Sequence, residues 1–192
     1  MAQPALASNA SGIVPSDAAL VLAARAGDSC AQESLFRRYL PLALGLSQRI
    51  LGHHGEAEDV VQDAFVEAMG HLERLDNPQA FGAWLRTIVV RRVRKHLRRQ
   101  QLLNRLGLRT AAPIDLDALI APTAPADLVQ ELRAVYGVLA RLPPEQRVAL
   151  VLRRVEGLEL GEIAAQMDLS LATVKRRLAA AEARLAQARA KL

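Results

Sequence analysis

One cysteine, Cys30, in 192 residues leaves no partner for an internal disulfide and excludes a cysteine-based zinc site. It is expected as a buried or bystander thiol, and such scarcity suits a reducing cytoplasm. Aromatic residues make up only 3% of the chain, and nowhere do Val, Thr and Tyr alternate with polar residues over a useful length, so no segment reads as a strand. No apolar run is long enough for a membrane span. The most apolar window, 40–51, is interrupted by Ser47, Gln48 and Arg49 and fits a core helix. The first 15 residues lack both a basic n-region and a sustained apolar core, which predicts a disordered tail and not a signal peptide. Between Asn77 and Ile114 there is no acidic residue at all.

What the chain does contain is abundant Ala, Leu and Arg, and half of its residues are hydrophobic, enough for a real core in one or two domains. These residue types favour helix, so an all-α protein is predicted. The excess of 25 Lys and Arg over 20 Asp and Glu gives a net charge of +5, which points weakly to a polyanionic partner.

The stretch 158–185 reads as two short helices joined by a tight turn. In the first, Leu160, Ile163, Ala164 and Met167 recur at helical spacing, and Ala164 is small enough to admit a crossing helix. Ser170 stands where an N-cap belongs, and Val174, Leu178, Ala181 and Leu185 give the second helix one apolar stripe. The opposite face carries Ala172, Thr173 and Arg176, with Lys175 and Arg177 beside them. Small residues around a cation suit a helix entering a major groove: room for the backbone, a phosphate anchor and a guanidinium for base edges. Against this stands an ordinary helical hairpin with solvated cations. Asp168 occupies the turn position where a left-handed residue, normally glycine, ends the first helix; its short side chain tolerates that conformation better than most.

Upstream, Ser16 and Asp17 signal a helix start, and Gly27-Asp28 a turn. A second helix is predicted over about 31–51, with Pro41 expected to kink or divide it. A third covers 56–75 and a fourth about 79–103. The segment 104–127, with Gly107, Pro113, Pro122 and Pro125, is read as a flexible linker between a first domain (16–103) and a second (128–192). Helices resume over 128–142 and, after Pro143-Pro144, over 145–155, where proline and Glu145 suit a helix first turn.

Two faces of the first domain carry charge. In the third helix Val61, Ala64, Phe65, Ala68 and Met69 form a core stripe, while Asp59, Gln62, Asp63 and Val66 share a separate face. A charge run is commonly a solvated surface, but Val66 among carboxylates gives a protein interface something apolar to bury. In the fourth helix Arg91, Arg94, Lys95 and Arg98 fall at i, i+3, i+4 and i+7, a row of cations accompanied by Arg86, Arg92, Arg99, Arg105 and Arg109. Like charges so close weaken a helix, and a nucleic-acid backbone would relieve them. His53, His54, Glu56 and Glu58 raise a metal or hydrolase site as a rival, disfavoured because no further ligand completes a shell.

The order of these motifs resembles the sigma-70 family of RNA polymerase sigma factors. The residues that carry the resemblance are Ala57-Glu58-Asp59-Val60-Val61-Gln62-Asp63-Ala64-Phe65, then Phe81, Trp84-Leu85 and Ile88, then Leu142-Pro143, Arg147 and Leu150. They are followed by Glu156-Gly157-Leu158, Glu162-Ile163-Ala164, Ser170 and Thr173-Val174-Lys175. With no other domain in these 192 residues, the chain is similar to the small extracytoplasmic-function (ECF) group.

The resemblance implies a sigma factor and not an enzyme, with no catalytic residue, metal or cofactor, acting in the cytoplasm without membrane insertion. Its implied partners are core RNA polymerase, promoter DNA and an anti-sigma factor. Asp59, Gln62, Asp63 and Val66 would face polymerase. The loop 75–80, including Asn77, would cradle a flipped base of the minus-ten element, and Arg86, Arg91, Arg94, Lys95, Arg98 and Arg99 would hold the melted strand. Ser170, Ala172, Thr173, Lys175, Arg176 and Arg177 would read the minus-thirty-five element. Arg91 and Lys95 stand where the family usually has asparagine and aspartate, and Ala180 and Glu182 where it often has arginine. Rival readings are a sigma-like decoy that sequesters an anti-sigma factor and a helix-turn-helix regulator.

Overall fold

The computed structural model describes residues 15–108 and 125–189. The predicted tail, apart from Pro15, and residues 109–124 of the predicted linker lie outside that range, so Arg109, Pro113 and Pro122 receive no structural account.

Every regular element among the described residues is helical. α1 spans Asp17–Arg25 and starts where expected, with the Ser16 hydroxyl accepting from the Ala19 amide at 3.2 Å. Asp28 caps α2, Ser29–Leu51, by accepting from Cys30 N at 2.8 Å and Ala31 N at 3.3 Å, and Gly52 ends it in the left-handed region with φ 74°. α2 is not divided at Pro41. That proline is exposed and so is Arg37 one turn earlier, so the carbonyl that loses its amide partner faces water. α3 runs His54–Gly70, beginning earlier and ending sooner than the pattern suggested. Two short 3-10 turns, Leu72–Arg74 and Pro78–Ala80, then lead into α4, Phe81–Arg105.

α1 to α4 form the first helical group. Leu35, Ile50, Val61, Ala64, Phe81, Val89 and Val93 are wholly or almost wholly buried in it. Tyr39 ties the group together: its ring lies 5.2 Å from that of Phe81, and its hydroxyl donates to Asp17. Burial, followed by the bond to Asp17, pushes the Tyr39 phenol up to about 12, so it remains a donor throughout the physiological range. Gly82 lets the ring sit there, because a Cβ at that position would come within 2.7 Å of Tyr39 Cε1.

The second group contains α5 (Ala126–Arg141), α6 (Pro144–Arg154), α7 (Leu160–Met167) and α8 (Leu171–Arg189). α8 packs against α5, α6 and α7. Val148, Leu152, Ile163, Met167, Val174 and Ala181 are fully buried in this group. The groups also touch each other: α4 packs on α6 and α7, α2 reaches α6, and the buried apolar residues form a continuous cluster. No helix among the described residues is long and apolar enough to cross a membrane. Cys30 is exposed, not buried.

Candidate nucleic-acid interface

The turn between α7 and α8 has the form anticipated from sequence. Glu162 accepts from the Glu159 amide at 2.7 Å at the start of α7. Asp168 ends that helix at φ 50°, ψ 56°, and is the only non-glycine residue at positive φ among the described residues. Its amide and that of Leu169 bond back to the carbonyls of Ala165 and Ala164, closing the helix in the way glycine would. The Ser170 hydroxyl then accepts from Thr173 N at 3.2 Å. With Val174, Leu178 and Ala181 buried, α8 presents Ala172, Lys175 and Arg176 to solvent, and Thr173 partly so. Arg177 points the other way: its guanidinium is half-buried, with Nη1 3.7 Å from Glu145 Oε2.

The acidic face of α3 is also open. Asp59, Gln62, Asp63 and Val66 are all exposed, Val66 at 69%, so the apolar side chain stands in the open among the carboxylates. Asp63 accepts from Arg92 at 3.3 Å and remains reachable by a partner.

α4 departs most from expectation. Three cations of its row, Arg91, Arg94 and Arg98, are paired within the chain, by acids that sequence distance had hidden. Glu67 of α3 receives Arg91 and, at 2.5 Å, Arg92. Burial works against ionising Glu67, but the two guanidinium groups hold its carboxyl below the usual range. Farther along, Arg94 donates to Glu145 Oε2, with Nη2 at 2.9 Å, and to the Met167 carbonyl, while Arg98 pairs with Glu145 Oε1. Glu145 lies in the first turn of α6, so one carboxylate of the second group gathers Arg94, Arg98 and Arg177. Again burial opposes ionisation, and Arg94 followed by Arg98 outweighs it, leaving the Glu145 carboxyl below its ordinary value. Lys95 and Arg99 are exposed and form no ion pair among the described residues; Arg86 is half-buried. Asn77 is exposed and uses its side chain to accept from Gln79 N at 3.0 Å, capping the turn before α4.

A second bridge between the groups joins Arg49 of α2 to Glu156, just after α6, at 2.7 to 2.8 Å. Sequence reasoning missed Glu67, Glu145, Glu156 and Arg49. The one available signal was Glu145 in a helix first turn, which explains a carboxylate there but not whom it faces. Of the proposed metal cluster, Glu56 is engaged by His96 at 3.3 Å and Gln100 at 2.6 Å, so its carboxylate serves packing of α3 on α4.

Residues 35–102 match the model of sigma-70 region 2, and residues 132–185 that of sigma-70 region 4. The chain is 34% identical over 175 residues to the ECF RNA polymerase sigma factor SigM of Mycobacterium tuberculosis, covering 90% of this chain and 84% of that protein. It is 32% identical over 176 residues to the ECF RNA polymerase sigma-E factor of Escherichia coli, covering 84% and 88% respectively. Among solved structures, CnrH in complex with the cytosolic domain of CnrY is similar at a TM-score of 0.58 and 27% identity, over 89% of this chain and 95% of that one. RpoE in complex with the anti-sigma factor NepR from Bartonella quintana shares the fold at a TM-score of 0.63 and 22% identity, over 81% and 94%.

Proposed function

Because the chain belongs to the ECF group of the sigma-70 RNA polymerase sigma factors, we propose that its two helical groups divide promoter recognition between them. The protein directs RNA polymerase to specific promoters and supports initiation. The polymerase supplies the chemistry, so the sigma factor is not itself an enzyme, and it works in the cytoplasm where polymerase and chromosome meet.

Residues 16–103 act as the region 2 domain. Asp59, Gln62, Asp63 and Val66 bind core polymerase, with Val66 the apolar contact inside an electrostatically steered face. Asn77 and the cations Arg86, Arg91, Arg94, Lys95, Arg98 and Arg99 follow the minus-ten DNA as it opens. Residues 128–192 act as the region 4 domain. There Ser170, Ala172, Thr173, Lys175 and Arg176 address the minus-thirty-five element, and Arg177 joins them once it leaves Glu145. An anti-sigma factor is a further partner in this reading, suggested by RpoE, a sigma factor of the same fold solved in complex with the anti-sigma factor NepR.

The observation that carries this reading is the grouping of Arg94, Arg98 and Arg177 on Glu145. A carboxylate stands where DNA phosphates would, and it draws together cations assigned to both promoter elements. The compact arrangement is therefore a resting form, and promoter binding requires the two groups to part. Run-off transcription with purified core polymerase on a promoter library tests the reading. Initiation that depends on this protein is expected; core binding without initiation would identify a decoy instead.

A further inference from the structure

Arg147 is a deeply buried cation with two guanidinium nitrogens that no hydrogen bond satisfies. It lies in α6 at 6% exposure, and its Nε and Nη2 are buried without a hydrogen-bond partner. Arg94, the other heavily enclosed arginine, spends its guanidinium on Glu145 and a backbone carbonyl. Burial pushes Arg147 down to about 10, opposed by Tyr136 and Glu56, so the group is still cationic at neutral pH. A buried charge and two buried donors left unmatched are costly, and folded proteins rarely retain them without a bound water or ion.

Arg147 lines a groove of about 370 Å³ between the end of α4 and the junction of α5 with α6. Around it stand Arg105, Arg141, Gln101 and Asn104, and none of the described residues that line it is a carboxylate. Arg105 and Arg141 are exposed and make no ion pair among the described residues. Three arginines thus line a polar concavity whose volume equals that of roughly a dozen waters, at about 30 Å³ each. A planar guanidinium pairs best with an oxyanion that offers two oxygens. The recessed position of Arg147 favours a small ligand over a duplex, whose backbone cannot enter the groove.

We propose that this groove binds a small phosphorylated molecule, with Arg147 on the phosphate and Arg105 and Arg141 closing over it. Arg105 and Gln101 belong to α4, whereas Arg141 and Arg147 belong to α5 and α6. An occupied groove therefore bridges the two groups and favours their compact arrangement. The site is independent of the promoter and polymerase contacts assigned above, and its test needs neither.

The test is calorimetric titration of the full chain with inorganic pyrophosphate at ionic strength held constant with potassium chloride, with sulfate as the comparison anion. Saturable pyrophosphate binding is expected, together with a rise in melting temperature. Arg147→Lys, which keeps the charge but loses the fork, should weaken binding at least about tenfold. The paired surface change Arg105→Ala with Arg141→Ala should do the same, and it decides the matter if the buried variant does not fold. Absence of saturable binding in the unaltered chain, or unchanged affinity in the surface pair, overturns the proposal. A blocked diglutamate peptide that binds where pyrophosphate does not would overturn it in favour of an acidic protein partner.

Discussion

Arg94 and Glu145, 51 residues apart in the chain, meet at 2.9 Å across the seam between α4 and α6, both almost fully enclosed. Arg98 and Arg177 complete the cluster, so three cations from two helices depend on one carboxylate. Glu145→Gln keeps the shape and removes the charge, leaving enclosed guanidinium groups short of a counter-ion. A loss of about 3 kcal/mol from the compact arrangement is expected, in line with breaking one side of a buried pair. Small-angle scattering should show a larger radius of gyration, and transcription at limiting protein should rise. An unchanged radius would mean that apolar packing alone holds the groups together.

The contact of α3 with α4 carries a pH signature. The hydrogen bond from His96 is the largest influence on Glu56; burial opposes it, and Gln100 adds to it, holding the carboxyl down to about 2 against 4.5 for the free side chain. The folded-state value is depressed, so this stabilisation is complete above pH 4.5 and is lost as pH falls from there towards 2. Its upper bound is on the order of 3 kcal/mol. Urea unfolding between pH 3 and 7 should therefore show a steeper acid loss in the unaltered protein than in Glu56→Gln. Parallel pH profiles would remove Glu56 as the source.

Asp63→Arg reverses charge on the exposed face of α3 without entering the core. Arg92 loses a weak partner and keeps Glu67, so the helical fold should persist. Affinity for core polymerase should fall about tenfold or more. Equal affinity at physiological salt, with helicity retained, would exclude this face from the polymerase interface.

Arg176 and Lys175 are neighbours with different expected roles. Arg176→Ala should cost about 1–3 kcal/mol and relax preference at one position of the upstream element. Lys175→Ala should weaken binding across all sequences and reduce its salt dependence. Holoenzyme transcription on single-base promoter variants separates them. A proportional drop on every variant with Arg176→Ala would make that residue a phosphate contact.

The sequence made local features legible because local rules produce them. Ser16 and Ser170 cap their helices, and Asp168 takes the left-handed turn, since capping and turn geometry depend on a few adjacent residues. The apolar stripes of α3 and α8 follow from helical periodicity and are buried apart from Met69 and Leu185, which are partly so. Pro41 does not divide α2, because a proline's effect depends on whether the preceding turn faces water, which is a tertiary fact. The internal pairing of the cationic row was hidden for a related reason. Between Asn77 and Ile114 no acid exists to suggest compensation, and Glu67 and Glu145 reach α4 only after α3 and α6 pack on it. Likewise Arg147 reads as a motif residue until its enclosure without a partner is seen.

Glu145 also occupies the first turn of α6, where the free amides and the helix dipole favour a negative charge whatever else it touches. That site keeps the carboxylate ionised after the cations depart, so separation and reunion of the two groups involve no proton exchange near neutrality. Mobile ions reach the enclosed Arg94–Glu145 pair poorly, so salt acts on the equilibrium between the two groups chiefly through the exposed Arg98.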